Sequence, residues 1–247
     1  MAFAAYGQNA PPPAIPEINT DRPDVTEAST VIPKGSLQLE NGMTWTNDHG
    51  TQTLDLSESL LRIGLADRTE LRVVVPNFLA GLARTGGATG FGDMALGMKQ
   101  QLGPLAGDID LSVIVALSLP TGANRISSHG YDPFVKFPWS KDVKAGWSVG
   151  GMQSLFLYTD ASRRNPTYET TFYLEKQLTK RCDAFAEYVG DFARYGGSSQ
   201  IGHFGSAYRV TETQQVDFHF GFGLSHAAPS RFFAVGYSVR VDKLWGR

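Results

Sequence analysis

The sequence predicts an all-β protein, an antiparallel transmembrane β-barrel of about twelve strands, and three observations carry that prediction. From Ser36 onward apolar and polar residues alternate with a period of two, the alternating runs are long, and the connections between them are alternately longer and shorter. Composition narrows the class. The 247 residues contain one cysteine, Cys182, which excludes an internal disulfide, and no Cys/His cluster has zinc-ligand spacing, so no metal site and no cofactor are expected. A formal charge of −2 with scattered basic residues lacks the cationic stripe that a nucleic-acid partner needs. No stretch approaches the roughly 20 apolar residues of a spanning helix, so any membrane residence must come from strands.

The elements follow in order. Ala2-Phe3-Ala4-Ala5 is like the small-residue end of a secretory signal without its charged and apolar regions; a signal remnant and ordinary first residues both fit. Residues 9–35 carry Pro11, Pro12, Pro13, Pro16, Pro23 and Pro33, a composition that favours an extended tail over a packed element and leaves open whether it hangs free or folds into the lumen as a plug. Residues 1–35 are therefore read as a signal remnant and Pro-rich periplasmic segment, and 36–247 as the barrel. Strands are expected near 36–46, 51–65, 69–79, 90–102, 108–119, 131–139, 146–159, 167–179, 183–194, 200–210, 214–225 and 232–243. Pro133 and Pro138 weaken the sixth and Gly150-Gly151 the seventh. Within 51–65 the apolar parity switches between Leu56 and Leu61, which predicts a bulge near Glu58.

Alternation alone leaves open which face points out. Strands of mostly 10–14 residues match the roughly 9–11 tilted residues that span a bilayer. Connections 47–50, 80–89, 120–130, 160–166, 195–199 and 226–231 fall on one side, and the mostly shorter 66–68, 103–107, 140–145, 180–182 and 211–213 on the other. Trp139, Trp147 and Trp245 sit at strand ends on the short-turn side, with Tyr158, Tyr168, Phe192, Tyr195 and Phe232 near the opposite ends, predicting two aromatic girdles. The polar parity then lines a lumen, with Glu40, Arg62, Glu70, Arg72, Asp93, Lys99, Asp110, Glu187, Arg209, Asp217, His219 and Arg240 pointing inward. Arg62 and Glu70 are placed to pair across their hairpin, and Gly64, Gly92, Gly97, Gly221, Gly223 and Gly236 leave room on the same face.

Six segments then suggest a family. DRPDVTE (21–27), PKGSLQLENG (33–42), LRIGLADRTELRV (61–73), GFGDM (90–94), SLPTG (118–122) and VDFHFGFGLS (216–225), in this order and spacing, make the chain resemble the bacterial outer-membrane transporter family of the phenol-degradation meta pathway. The resemblance covers nearly everything from Asp21 and implies an outer-membrane barrel linked to aromatic-compound catabolism, with the solute unassigned.

No histidine falls in a hydrolase motif. His49 and His129 lie in loops, His203 and His219 read as inward-facing, and Ser225 and His226 are adjacent strand residues that face opposite sides, so no enzyme is expected. Cys182 is given no role. The loop opened by Pro120-Thr121-Gly122 is the first candidate for a lid, with a solvent-exposed connector as the alternative. The resulting expectation is an outer-membrane channel, both termini periplasmic, passing small solutes, aromatic ones included, with outer-membrane lipid as its surroundings. A closed structural or surface-binding outer-membrane barrel and a soluble periplasmic ligand-binding barrel fit the same alternation.

Overall fold

In the computed structural model, residues 16–82, 87–160 and 162–245 are described. The reading of residues 1–8 as a signal remnant lies outside them. The strands are β1 (Leu37–Asp48), β2 (Thr51–Leu56 continued by Ser59–Ala66), β3 (Thr69–Val75 continued by Phe78–Gly81) and β4 (Gly90–Phe91 continued by Met94–Gln101). After them come β5 (Asp110–Leu119), β6 (Asp132–Asp142), β7 (Trp147–Asp160) and β8 (Arg163–Thr179). The last four are β9 (Cys182–Ala193), β10 (Ser198–Thr211), β11 (Gln214–Gly223) and β12 (Arg231–Val241). Neighbours in the chain pair antiparallel, and β12 pairs back onto β1 from Leu37↔Val241 to Asn47↔Arg231, so the sheet closes on itself.

The barrel is inside out relative to a soluble one. On β11, Val216, Phe218, Phe220 and Phe222 are 37–47% exposed, whereas the interleaved Gln215, Asp217 and His219 are 3–8% exposed. The same inversion runs around the wall: Leu39, Met98, Val115, Leu155, Phe172 and Val235 face outward while Gln38, Lys99, Ile114, Ser154, Thr171 and Ala234 are buried. An apolar band of this kind is stable against hydrocarbon and costly against water, which argues against the soluble alternative.

Several local expectations change. The parity switch in β2 is a break at Ser57–Glu58, with Ser57 at φ 58° and the Glu58 N–H donating to Gly42 O at 3.0 Å. β3 and β4 are interrupted at neighbouring positions, Pro76–Asn77 and Gly92–Asp93, where the Gly92 N–H donates to Asn77 O. Beside these breaks lies a cavity of about 250 Å³ lined by Arg22, Glu40, Glu58, Leu60, Val74 and Asn77. Pro138 does sit inside β6, but the β5–β6 ladder skips from Leu111↔Trp139 to Ile114↔Lys136 around it, because proline has no N–H to give. The Ser112 hydroxyl released there donates to Ser29 O at 2.5 Å. Most of the expected loop 160–166 is strand instead, since β8 begins at Arg163 and pairs with β7 down to Asp160↔Arg163.

The place of the tail, left open by composition, is the lumen: residues 16–35 form neither helix nor strand, bend at 21, 23–26 and 29–30, and lie inside the barrel, with Ile18 and Ile32 buried at 3% and 2% exposure. The lumen is plugged by the chain's own leading segment.

Candidate functional site

The segment enters and leaves the lumen at the same end. The Ile18 N–H donates to Glu212 O at the β10–β11 turn (2.8 Å), and on the way out the Gly35 N–H donates to Gly64 O (2.8 Å) beside the β2–β3 turn. A proline-rich segment outside any ladder must satisfy its remaining N–H groups elsewhere, and wall carboxylates take that part. Glu40 accepts from the N–H groups of Asp21 (2.8 Å) and Arg22 (3.1 Å), Glu187 from those of Val25 (2.9 Å) and Thr26 (2.8 Å), and Glu70 from that of Ile32 (2.9 Å).

On the β1–β4 side the contact is ionic. Arg62 donates to both oxygens of Glu70 (2.9 and 3.0 Å) and to Glu40 (3.0 Å). Arg72 reaches Glu70 (2.7 Å) and, from the segment, Asp21 (2.6 Å) and Glu27 (2.7 Å). Lys99 meets Asp21 at 3.1 Å and donates to Ala28 O at 2.8 Å, and Lys136 of β6 completes the ring on Glu27 at 2.6 Å. Such buried charges are tolerable only because each has partners of opposite sign. Burial alone would raise the Asp21 carboxyl, but Arg62, Arg72 and Lys99 around it hold it well below the usual carboxylate range.

The β9–β12 side is held by a chain of directional bonds. Glu187, which carries the Val25 and Thr26 N–H groups, accepts the Thr26 hydroxyl at 2.7 Å and faces His203 Nδ1 at 2.7 Å. His203 Nε2 lies 2.8 Å from His219 Nδ1, and His219 Nε2 lies 3.1 Å from Arg22 Nη2. Arg22 ends the chain on Glu58 (2.9 Å) and Asp217 (3.3 Å). The fit depends on glycines in the wall. A Cβ at Gly64 would stand 2.1 Å from Pro33 O, and one at Gly42 would stand 2.3 Å from the Arg22 guanidinium.

Glu40, Arg62, Glu70, Arg72, Lys99, Glu187, Asp217 and His219 thus come together around the plug. Arg240 donates to Pro16 O and Glu17 O, and Arg209 bonds Asp183 (2.5 Å) and Glu17 (3.1 Å) where the segment enters. The remaining two lie at the rims. Asp110 begins β5 at the short-turn end, opposite Ser140, and Asp93 accepts the N–H groups of Gly122 (2.8 Å) and Ser128 (2.9 Å), tying down the longest loop. Trp139, Trp147, Tyr168 and Phe192 take outward positions, and Trp245 lies 40% exposed beyond β12. Tyr158 and Phe232 do not join a girdle. Tyr158 shares the parity of Phe156 and buried Ser154 and stacks on Phe156 at 4.9 Å; Phe232 packs against His203 and His219. Both are strand residues whose parity outweighs their position near an end.

Arg22, Glu27, Glu58 and Lys136 were missed from the sequence. Lys136 was detectable, since it alternates with Val135 and Phe137. The segment's own charges had no periodic signal, only their density between prolines. The Ser225 hydroxyl donates to Ser198 O and accepts the Gln200 N–H, while the His226 ring stacks on His49 at 5.2 Å. Cavities flank the plug at both ends. One of about 440 Å³ at the long-loop mouth is lined by Asp93, Ser128, Asp132 and Tyr158; one of about 200 Å³ at the short-turn end is lined by Asp24, Tyr173, Glu175 and Arg209.

Residues 20–241 match the family described as "Putative MetA-pathway of phenol degradation". No curated protein matches in sequence. Among solved structures, the COG4313 outer membrane channel from Pseudomonas putida F1 is similar with a TM-score of 0.67 at 16% identity, covering 86% of this chain and 98% of that one. The NanC porin aligns with a TM-score of 0.61 at 9% identity over 83% of this chain and 100% of its own. The KdgM porin in complex with disordered oligogalacturonate gives 0.56 at 9% over 83% and 98%. At these identities the likeness establishes the fold, that of outer-membrane β-barrels.

Proposed function

This chain belongs to the family described as "Putative MetA-pathway of phenol degradation", and from that premise we propose that it is an outer-membrane channel for small solutes, phenol-related aromatics included, gated by displacement of residues 16–35 from the lumen. The short turns and both termini face the periplasm in this reading, the apolar band contacts lipid, and no catalytic step is assigned. One observation carries it: the ion pairs and hydrogen bonds that hold the plug run to polar groups of the wall, among them Glu40, Glu70, Arg72, Lys99 and Glu187. A wall of that kind can be rehydrated when the plug withdraws, whereas an apolar lumen would oppose opening by its whole hydrophobic burial. The strand breaks beside the 250 Å³ cavity, lined in part by Leu60, Val74 and Val75, supply the apolar surface that an aromatic ring needs next to an otherwise polar interior.

The Ser29 and Ser140 hydroxyls lie 2.7 Å apart across the plug–wall contact, so paired cysteines there can lock the gate. In a Cys182→Ser background, the Ser29→Cys/Ser140→Cys protein in planar bilayers is expected to conduct and to pass phenol or benzoate when reduced, and to lose both on oxidation. A folded protein with no flux in either state would instead identify a closed structural barrel.

A further inference from the structure

The chain Glu187–His203–His219–Arg22 has only one arrangement of protons that satisfies every contact. An ionised Glu187 is an acceptor only, so His203 must donate from Nδ1, at 2.7 Å. His203 Nε2 then carries a lone pair and accepts from His219 Nδ1 at 2.8 Å, which leaves His219 Nε2 with a lone pair facing the Arg22 guanidinium at 3.1 Å. Both imidazoles are therefore neutral, each with its proton on Nδ1. Arginine cannot serve as an acceptor, so a second N–H on either imidazole has no acceptor within this chain. Protonation of His203 sets two N–H groups against each other, and protonation of His219 sets a cation against Arg22.

From this we infer that the two histidines are a proton-operated latch on the plug: neutral, they hold Arg22 in the lumen, and protonated, they expel it. The inference rests on the reading that residues 16–35 are the gate and names how that gate is regulated. Surrounding groups are consistent with it. His203 is enclosed by Phe185 and Phe232, at 5.1 and 5.3 Å between ring centroids, and neither ring can receive the extra proton. Asp217, two residues from His219 on the same strand face, binds Arg22 through Oδ1, while its buried Oδ2 has no hydrogen-bond partner. A protonated His219 thus competes with Arg22 for Asp217. Glu58 holds the guanidinium from the β2 break, and Asp24 of the plug faces Glu187 and Glu175. Loss of Arg22 frees the segment next to the backbone N–H groups bound by Glu40 and Glu187.

Two measurements on the full chain in detergent micelles test this. In ¹⁵N-histidine spectra at pH 7, His203 and His219 are expected as neutral Nδ1–H tautomers; an imidazolium or an Nε2–H tautomer at either position overturns the latch without any substitution. In hydrogen exchange corrected for its intrinsic pH dependence, protection of residues 21–26 is expected to be lost on acidification at least one pH unit higher in the unsubstituted protein than in His219→Gln. Glutamine offers Arg22 an acceptor that does not titrate, and both proteins share the titrations of Asp24, Asp217, Glu58 and Glu187, so coincident profiles overturn the latch. Earlier loss of protection with no accompanying rise in bilayer conductance upholds the latch and rejects the gating reading on which it rests.

Discussion

The two walls of the lumen hold the same plug by different physics. On the β1–β4 side, Arg62, Arg72 and Lys99 interlock with Glu40, Glu70, Asp21 and Glu27, a network whose members are buried and paired several times over. On the β9–β12 side, one carboxylate, Glu187, and two neutral histidines present a single file of donors and acceptors ending on Arg22. The first arrangement is strong and indifferent to small shifts, because each charge has alternative partners; the second is directional and fails if any one proton is misplaced. A plug anchored firmly along one wall and conditionally along the other can loosen without leaving.

Removing a cation from the ionic side gives the largest expected effect. Arg62→Met leaves the buried Glu40 without an ion-pair partner and Glu70 and Asp21 with only Arg72 and Lys99, and denaturant unfolding in detergent should show a loss of about 3–5 kcal/mol. A loss under about 1 kcal/mol would mean that water already penetrates the network, and the contrast between the walls would disappear. On the other wall, Glu187→Leu orphans the Val25 and Thr26 N–H groups at about 1–3 kcal/mol each, with hydrogen exchange rising in residues 24–27 while the barrel strands stay protected.

Steric changes sharpen the comparison at a smaller scale. Gly64→Ala drives a Cβ into the Pro33 carbonyl, a backbone atom, and should cost about 1–3 kcal/mol; Gly42→Ala meets only the far end of the Arg22 side chain and should cost less. Equal effects would show that the Arg22 end is as rigid as the exit. The smallest effect concerns pH. Burial, then Glu187 and Glu175, raise the Asp24 carboxyl well above the usual range, so the docked state takes up its proton more readily than the free one. Its contribution favours docking as pH falls toward an ordinary aspartate value near about 3.9, and Asp24→Asn should slow exchange of residues 22–26 at pH 7 and erase that step. Asp21 has the opposite sign: held low by its cations, it stabilises docking fully above about pH 3.9 and loses that contribution only as pH falls through its lowered value. The ionic wall should therefore outlast the histidine wall on acidification.

The sequence by itself determined the barrel. Period-two alternation over long runs, the count of runs and the lengths of their connections required a closed antiparallel wall, and the parity of Arg62, Glu70, Lys99 and Asp217 turned their charges to one face. The parity switch near Glu58 was equally legible, because a one-residue slip moves every later side chain to the opposite face. What only the tertiary structure decided was the fate of residues 16–35 and the partnerships inside the lumen. A proline-rich segment with no repeating pattern carries no information about what surrounds it, and its N–H groups are satisfied by carboxylates up to 162 positions away in the chain. Tyr158 and Phe232 teach the same lesson on a smaller scale: nearness to a strand end suggests a girdle, but the pleat decides which way the ring points. Alternation names the face on which a side chain lies, while the partner it meets there is set by closure of the barrel around its own leading segment.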